Sequence, residues 1–424
     1  MENNYKKTTL KNGLRIITVP SKNTKTVAVL VLIKTGSKYE SKDINGISHF
    51  LEHMFFKGTK KRPSTMKIIE PLDKVGGIYN AFTSDEYTGY WTKIDANHLD
   101  LALDWVSDIY LNSKIAQEEI NRERGTILQE LNMYLDTPMH YVSGLWTNLL
   151  YGDQPAGWRV IGTEKVIKKA KREQFIKYLK EHYSSKNTVV AIAGNINHKI
   201  AINKVKKYFK SINGNLVKGK VPVKEKQNKP ESLIYYKDTD QTHIHLGVRA
   251  YNIFHPDRYA LNLLSVILGG NMSSRLWISV RERQGLAYYV SSSFDSDSDT
   301  GSFVTRAGVD NNRVEKAITT ILSEYKKISQ KKITLAELKK AKDYIKGVSL
   351  IGMESSDEQA SFYASQELLT DEILTLEEKF SRIDKVTVND IQRVAKDIFK
   401  PEKLNLALIG PFKDKKRFEK ILKI

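Results

Sequence analysis

His49, Glu52 and His53 are the residues of this chain most able to do chemistry together. In His49-Phe50-Leu51-Glu52-His53 two imidazoles stand four residues apart, and on a helix positions i and i+4 share one face, so both rings can reach one metal ion. Glu52 then sits beside that metal, placed to take a proton from a water. The order is the reverse of the commoner H-E-x-x-H zinc-hydrolase signature. Three fixed positions in five recur by chance, so the surroundings decide what the pattern means. Gly46-Ile47-Ser48 precedes it, Ile47, Phe50, Leu51, Met54 and Phe55 surround it with apolar surface, and Lys57-Gly58-Thr59 closes it. A helix of this kind is buried. Three ionisable groups in it are costly unless they are paired or bind a metal.

A catalytic zinc needs a third protein ligand and one open position. His98, His140, His182, His198 and His255 stand alone, and His243 and His245 share a strand face in Thr242-His243-Ile244-His245, where they decorate a sheet. A carboxylate is the better candidate. Residues 101–150 hold seven Asp or Glu against three Lys or Arg, although the whole chain carries a formal charge of +19. Within that stretch Glu119, Glu123 and Glu130 are spaced by 4 and 7 residues, on one helical face. Spacing does not choose among the three.

The elements that must position these groups follow from an internal repeat. Phe82 to Gly89 recurs as Phe294 to Gly301 at an offset of 212, and Asn97 to Ala102 parallels Asn312 to Ala317 at an offset of 215. The chain therefore reads as a domain over 1–212, a linker over 213–232 rich in Lys, Gly, Pro, Asn and Gln, and a related domain over 233–424. Thr9 to Ile16 contains an Asn-Gly turn expected to close a hairpin, Thr26 to Lys34 is a β-branched strand, and helices dominate from Ile44 onward. The fold class is α+β, each repeat an antiparallel-rich sheet packed with helices. The repeat also serves as a control. It carries His49, Glu52 and His53 onto Leu261, Leu264 and Ser265, and matching Glu119 with Glu337 carries Glu130 onto Val348. A metal site is expected in the first repeat only.

At 424 residues the chain exceeds one ordinary core. It has no cysteine, which excludes disulfides, thiolate zinc sites and thiol nucleophiles. The start, Met1 to Lys7, is polar and leads into a strand pattern, and no apolar run reaches about 18 residues, so neither a signal peptide nor a membrane span is expected and the cytoplasm is the default location. The surplus of 68 basic over 49 acidic residues raises a nucleic-acid reading. The lysines are spread along helix faces, however, and no phosphate-cradling glycine loop or RNA-binding signature accompanies them. Nucleic acid is not an expected partner.

The chain resembles the zinc peptidases of the pitrilysin, insulysin and mitochondrial processing peptidase group, at the scale of a short bacterial-type member. The likeness rests on Gly46 to Thr59, on Gly76-Gly77-Ile78-Tyr79-Asn80-Ala81-Phe82-Thr83, on Glu123 to Glu130 followed by Asp136-Thr137-Pro138, and on Pro155 to Thr163 and Asn187 to Asn195. It implies a zinc endopeptidase acting on peptides or unstructured segments, with one zinc per chain held by His49, His53 and Glu130, and Glu123 orienting the site. Glu52 is the general base by its place between the histidines. The resemblance also matches Arg281 and Tyr288 to a pair that contacts substrate and stabilises the tetrahedral intermediate at a site in the opposing half of the molecule. Ile78 to Thr83 reads as an edge strand to which an extended peptide adds, with Asn80 and Ala81 as the backbone-contact candidates. A chain of this length would form half of a clamshell chamber, closed as a homodimer or as a heterodimer with an inactive relative. The competing reading is a non-catalytic scaffold subunit of the kind found among relatives in respiratory complexes.

Overall fold

A computed structural model describes residues 5–215 and 217–424. Met1 to Asn4, part of the polar start, and Leu216, within the linker stretch, lie outside the described residues. Two compact units emerge, and neither is a single run of chain. One comprises residues up to 132, 159–221 and 350–375; the other comprises 133–158, 222–349 and 376–424. Compactness thus groups residues differently from the linear repeat, since each unit takes in a segment distant in sequence.

The first unit is built on a six-stranded sheet. Its strands are β1 (Lys6–Thr9), β2 (Arg15–Pro20), β3 (Thr26–Ile33), β4 (Ile78–Thr83), β5 (Thr88–Asp95) and β6 (Thr188–Gly194), in the order β1-β2-β6-β3-β5-β4. β2 and β6 run parallel and the other neighbours antiparallel. The central strands β3 and β6 are buried almost end to end, which explains why their sequences, TVAVLVLI and TVVAIAG, are continuous apolar runs rather than alternating ones. Both faces are covered. Leu30 and Leu32 of β3 meet Ala360, Tyr363, Ala364 and Leu368 of the helix Ser356–Thr370, while the helix Leu99–Asn112 packs against β3 and β5. The remote helix is also tied by charge: Glu367, 1% exposed, meets Lys7 at 2.7 Å, and Asp357 meets Lys93 at 2.8 Å. The expected hairpin forms between β1 and β2, but residues 10–14 make its loop, with Gly13 at φ +89° and Leu10 N–H donating to the Leu14 carbonyl.

The second unit repeats the plan on a five-stranded sheet, β7 (Glu231–Tyr236), β8 (Gln241–Arg249), β9 (Ala287–Ser296), β10 (Gly301–Asp310) and β11 (Leu404–Gly410), in the order β7-β11-β8-β10-β9. The helices Arg258–Gly269, Val314–Gln330 and Val388–Ile398 supply its main core. Its other face is covered by Val142, Leu145, Trp146 and Leu150 of the helix Pro138–Tyr151 against Val304, Ala407 and Ile409. The repeat is visible in detail. Asp95 and Asp310, 215 residues apart, each end a strand and accept a backbone N–H two residues on, from Asn97 and Asn312, both at 2.8 Å, before the next helix begins. Among the described residues no helix is long and apolar enough to cross a membrane.

Candidate metal centre

The helix Ile47–Met54 carries His49, Glu52 and His53, and its placement is set by the chain before it. Gly46, the residue before the first turn, adopts φ +101°, and a side chain there would lie 2.6 Å from the Ile161 carbonyl oxygen, so both the turn and the close approach require glycine. Glu40, 3% exposed, reaches the helix start: its carboxylate accepts the Gly46 N–H at 2.6 Å, the Ser48 N–H at 2.8 Å and the Asn45 side-chain amide at 3.0 Å. The two backbone N–H groups are donors a helix start leaves unsatisfied, and an acid there also suits the helix dipole. Burial pushes the Glu40 pKa up to about 7 against those donors, which favour the charged form. Phe50, Leu51 and Met54 fix the other side of the helix in the core.

The helix Gln117–Asp136 brings the acidic face to the histidines. One Glu130 oxygen lies 3.5 Å from His49 Nε2 and the other 3.5 Å from His53 Nε2. One ligand atom from each of His49, His53 and Glu130 can be chosen so that all lie within 4.8 Å of one another. Glu123, two helical turns earlier, hydrogen-bonds His53 Nδ1 at 2.9 Å and takes the Lys57 ammonium at 2.5 Å on its other oxygen. Glu119 stays apart and pairs with Arg122. Of the three acids that spacing left open, the fold brings Glu130 and Glu123 to the imidazoles.

The electrostatics of the cluster favour a cation. Among the described residues Lys57 pairs with Glu123, while Glu130 meets only the two imidazoles, so neutral imidazoles would leave the Glu130 charge uncompensated. Burial alone would lower the His53 pKa, but hydrogen bonds and charge from Glu123 and Glu130 outweigh it and raise it to about 9. The same imidazoles hold Glu130 down to about 2, through hydrogen bonds from His49 and His53 and against its burial. The field at this point stabilises positive charge, whether a proton or a metal. Two imidazole nitrogens and a carboxylate oxygen form the donor set of a catalytic zinc, and they fit that ion.

Glu52 projects beside the ligands, and its Oε2 accepts the Thr83 hydroxyl at 2.6 Å. Thr83 ends β4, which is the last strand in the sheet order. Asn80 is exposed on that strand and its side-chain oxygen accepts the Ala81 N–H at 2.8 Å, while Ala81 is 8% exposed and pairs with Tyr90. Sequence reasoning missed two contributors. Thr83 lay inside a recognised stretch without a role, and Glu40 lay nine residues before His49 with no periodic signal to mark it as the helix cap.

In the second unit the positions matched by the repeat are empty of ligands. Leu261 and Leu264 are fully buried, Ser265 is 5% exposed, and Val348 is more than half exposed. Arg281 lies in a π-helical turn, Trp277–Glu282, its guanidinium 4.1 Å from the Trp277 ring centre and 5.7 Å from that of Tyr288. Such turns recur at functional sites. Tyr288 is 75% exposed, so it is no core residue.

Known proteins are similar to this chain in sequence and fold. Residues 15–164 match the family model described as insulinase, peptidase family M16, and residues 169–345 match the one described as peptidase M16 inactive domain. The chain is 36% identical over 407 residues to an uncharacterized zinc protease of Bacillus subtilis, YmxG, covering 96% of this chain and 98% of that one. Among solved structures it is similar to a protease from Helicobacter pylori, at a TM-score of 0.89 and 28% identity over 96% of this chain and 99% of that one. A chain of complex III2 from Candida albicans shares the fold, at a TM-score of 0.85 and 20% identity over 99% and 100% of the two chains.

Proposed function

The chain belongs to peptidase family M16, and within it we propose that this protein is a zinc-dependent endopeptidase cleaving peptides or unstructured segments. The observation that carries the reading is the convergence of His49, His53 and Glu130 around one point, with Glu52 on the same helix beside them. A scaffold subunit would have no use for a base at that position, so the intact set favours catalysis over the fold's structural uses.

In this reading His49, His53 and Glu130 would hold one zinc, and the chemistry it would supply is that of a Lewis acid toward a carbonyl and toward water. Glu123 keeps His53 oriented through Nδ1. Glu52 takes the proton of the attacking water and returns it to the leaving amine. An extended peptide adds to the outer edge of β4, where Asn80 and Ala81 offer backbone contacts. Arg281 and Tyr288 donate hydrogen bonds to the developing oxyanion, each worth about 3 to 4 kcal/mol when well placed. They come from the partner copy of a homodimer whose two chains close a chamber, with a heterodimer containing an inactive relative as the other arrangement. The protein works in the cytoplasm.

Digestion of a peptide library by wild type beside Glu52→Gln, with zinc content measured in both, tests the reading. We expect wild type to cleave and to contain one zinc per chain, and Glu52→Gln to keep the zinc while losing at least about a thousandfold in rate. Undiminished cleavage by the variant, or wild type free of zinc after metal-protected purification, would overturn it.

A further inference from the structure

We infer that Thr83 is a positioning residue for the base: its hydroxyl anchors Glu52 Oε2 and leaves Oε1 to exchange the proton. The inference rests on the reading of Glu52 as general base and assigns a role to a residue outside the metal set. Among the described residues the Thr83 hydroxyl, at 2.6 Å, is the one hydrogen-bond donor to the Glu52 side chain. Buried Tyr90 and Tyr183, whose pKa values are raised by burial first and by the Glu52 charge as a lesser cause, are neighbours of the base, but their hydroxyls meet each other at 3.2 Å. A glutamate has three rotatable bonds, and a base must be held near its working geometry before the reaction starts. One donor on one oxygen does this without occupying the other.

The surroundings of Thr83 are rigid enough for the anchor to matter. Immediately after it, Ser84 and Tyr87 close a turn, the Ser84 N–H donating to the Tyr87 carbonyl at 2.9 Å. That turn is fastened to residues 36–38. Lys38 N–H donates to the Asp85 carbonyl at 3.0 Å, the Ser37 hydroxyl to the Asp85 carboxylate at 2.9 Å, and the buried Lys38 ammonium meets buried Glu86 at 3.1 Å. A side chain on Gly36 would come within 2.1 Å of the Ser84 carbonyl oxygen. Two residues past Lys38, Glu40 grips the start of the helix that bears Glu52. One segment, 36–40, therefore holds both the end of the edge strand and the base-bearing helix. Because β4 is also the strand to which substrate is proposed to add, Thr83 links the bound peptide's strand directly to the base.

Thr83→Val removes the hydroxyl while keeping the β-branched shape that suits a strand, and Thr83→Ser restores the donor. Steady-state cleavage of one peptide, zinc content and a crystal structure of each variant decide the matter. The expected result for Thr83→Val is a kcat lower by about 10- to 100-fold, with KM within about twofold, unchanged zinc and Glu52 spread over more than one rotamer; Thr83→Ser recovers most of the rate. A kcat for Thr83→Val within twofold of wild type, a loss that Ser does not restore, a loss that tracks zinc release, or Glu52 fixed in its original rotamer would each overturn the inference. If wild type cleaves nothing, the endopeptidase reading falls, and the Glu52 rotamer in the Thr83→Val crystal still decides the anchor.

Discussion

His49 and His53 differ in what stands behind each ring. His53 Nδ1 is held by Glu123, itself pinned by Lys57, whereas buried His49 Nδ1 has no hydrogen-bond partner among the described residues. Metal affinity in this cluster should therefore depend on Glu123 even though it supplies no ligand, because it fixes the ring and tautomer of His53. Glu123→Ala is expected to weaken zinc binding by about 10- to 100-fold, read by competition with a chelator of known affinity. An unchanged zinc affinity would show that helix packing alone orients the ring. At this scale the sequence was readable where chemistry and spacing coincide: the His49, Glu52 and His53 triplet needs only the helical period. Glu130 was singled out from Glu119 and Glu123 by family likeness, since all three obey the same period. Thr83 and Glu40 were invisible because their contacts run between segments that no periodicity relates.

At the scale of elements, strands came through where their apolar pattern was strong, as in β3, and the expected edge strand Ile78–Thr83 is the last strand of its sheet. The first hairpin kept its place but widened to a five-residue loop, with the glycine of Asn12-Gly13 near its end at positive φ. Two elements carry a cost that pH should reveal. His182, on the helix Arg172–His182, is 1% exposed, and burial followed by the charge of Lys218 lowers its pKa to about 4. His245 on β8 is 2% exposed, and burial followed by Arg306 and His243 lowers its pKa to about 3. Among the described residues each leaves Nδ1 without a hydrogen-bond partner. Both stay neutral when folded, whereas the unfolded chain protonates them near pH 6.5. Between pH 6.5 and about 4 the unfolded state therefore binds more protons, and stability falls as pH falls, each imidazole contributing up to about 1.4 kcal/mol per pH unit. Denaturant unfolding in the presence of a chelator should show His245→Leu with a shallower acid slope than wild type by about that amount. Parallel slopes would mean that His245 titrates alike in both states.

At the scale of the whole molecule, the repeat was legible but the partition of the chain was not. Sequence similarity is local and follows the linear order, whereas a sheet with two apolar faces needs two covers, wherever in the chain they come from. Ser356–Thr370 covers a face of the first sheet and Pro138–Tyr151 a face of the second, so a cut in the 213–232 stretch would leave each sheet with one face bare. The asymmetry between the repeats has a further consequence. The first holds the ligands and base, whereas the matched positions of the second hold Leu261, Leu264, Ser265 and Val348, and the second carries Arg281 and Tyr288. If a working site draws base and ligands from one copy and the oxyanion contacts from another, two different defects can complement each other. Glu52→Gln and Arg281→Ala proteins, each inactive alone, would form mixed dimers in which one site has both defects and the other has none. With free exchange about half the dimers are mixed, each with one sound site of two, so activity should return to about a quarter of wild type. Exchange is followed by mixing differently tagged chains and isolating the double-tagged dimer. Full exchange without recovered cleavage would mean that each chain builds its site from its own residues.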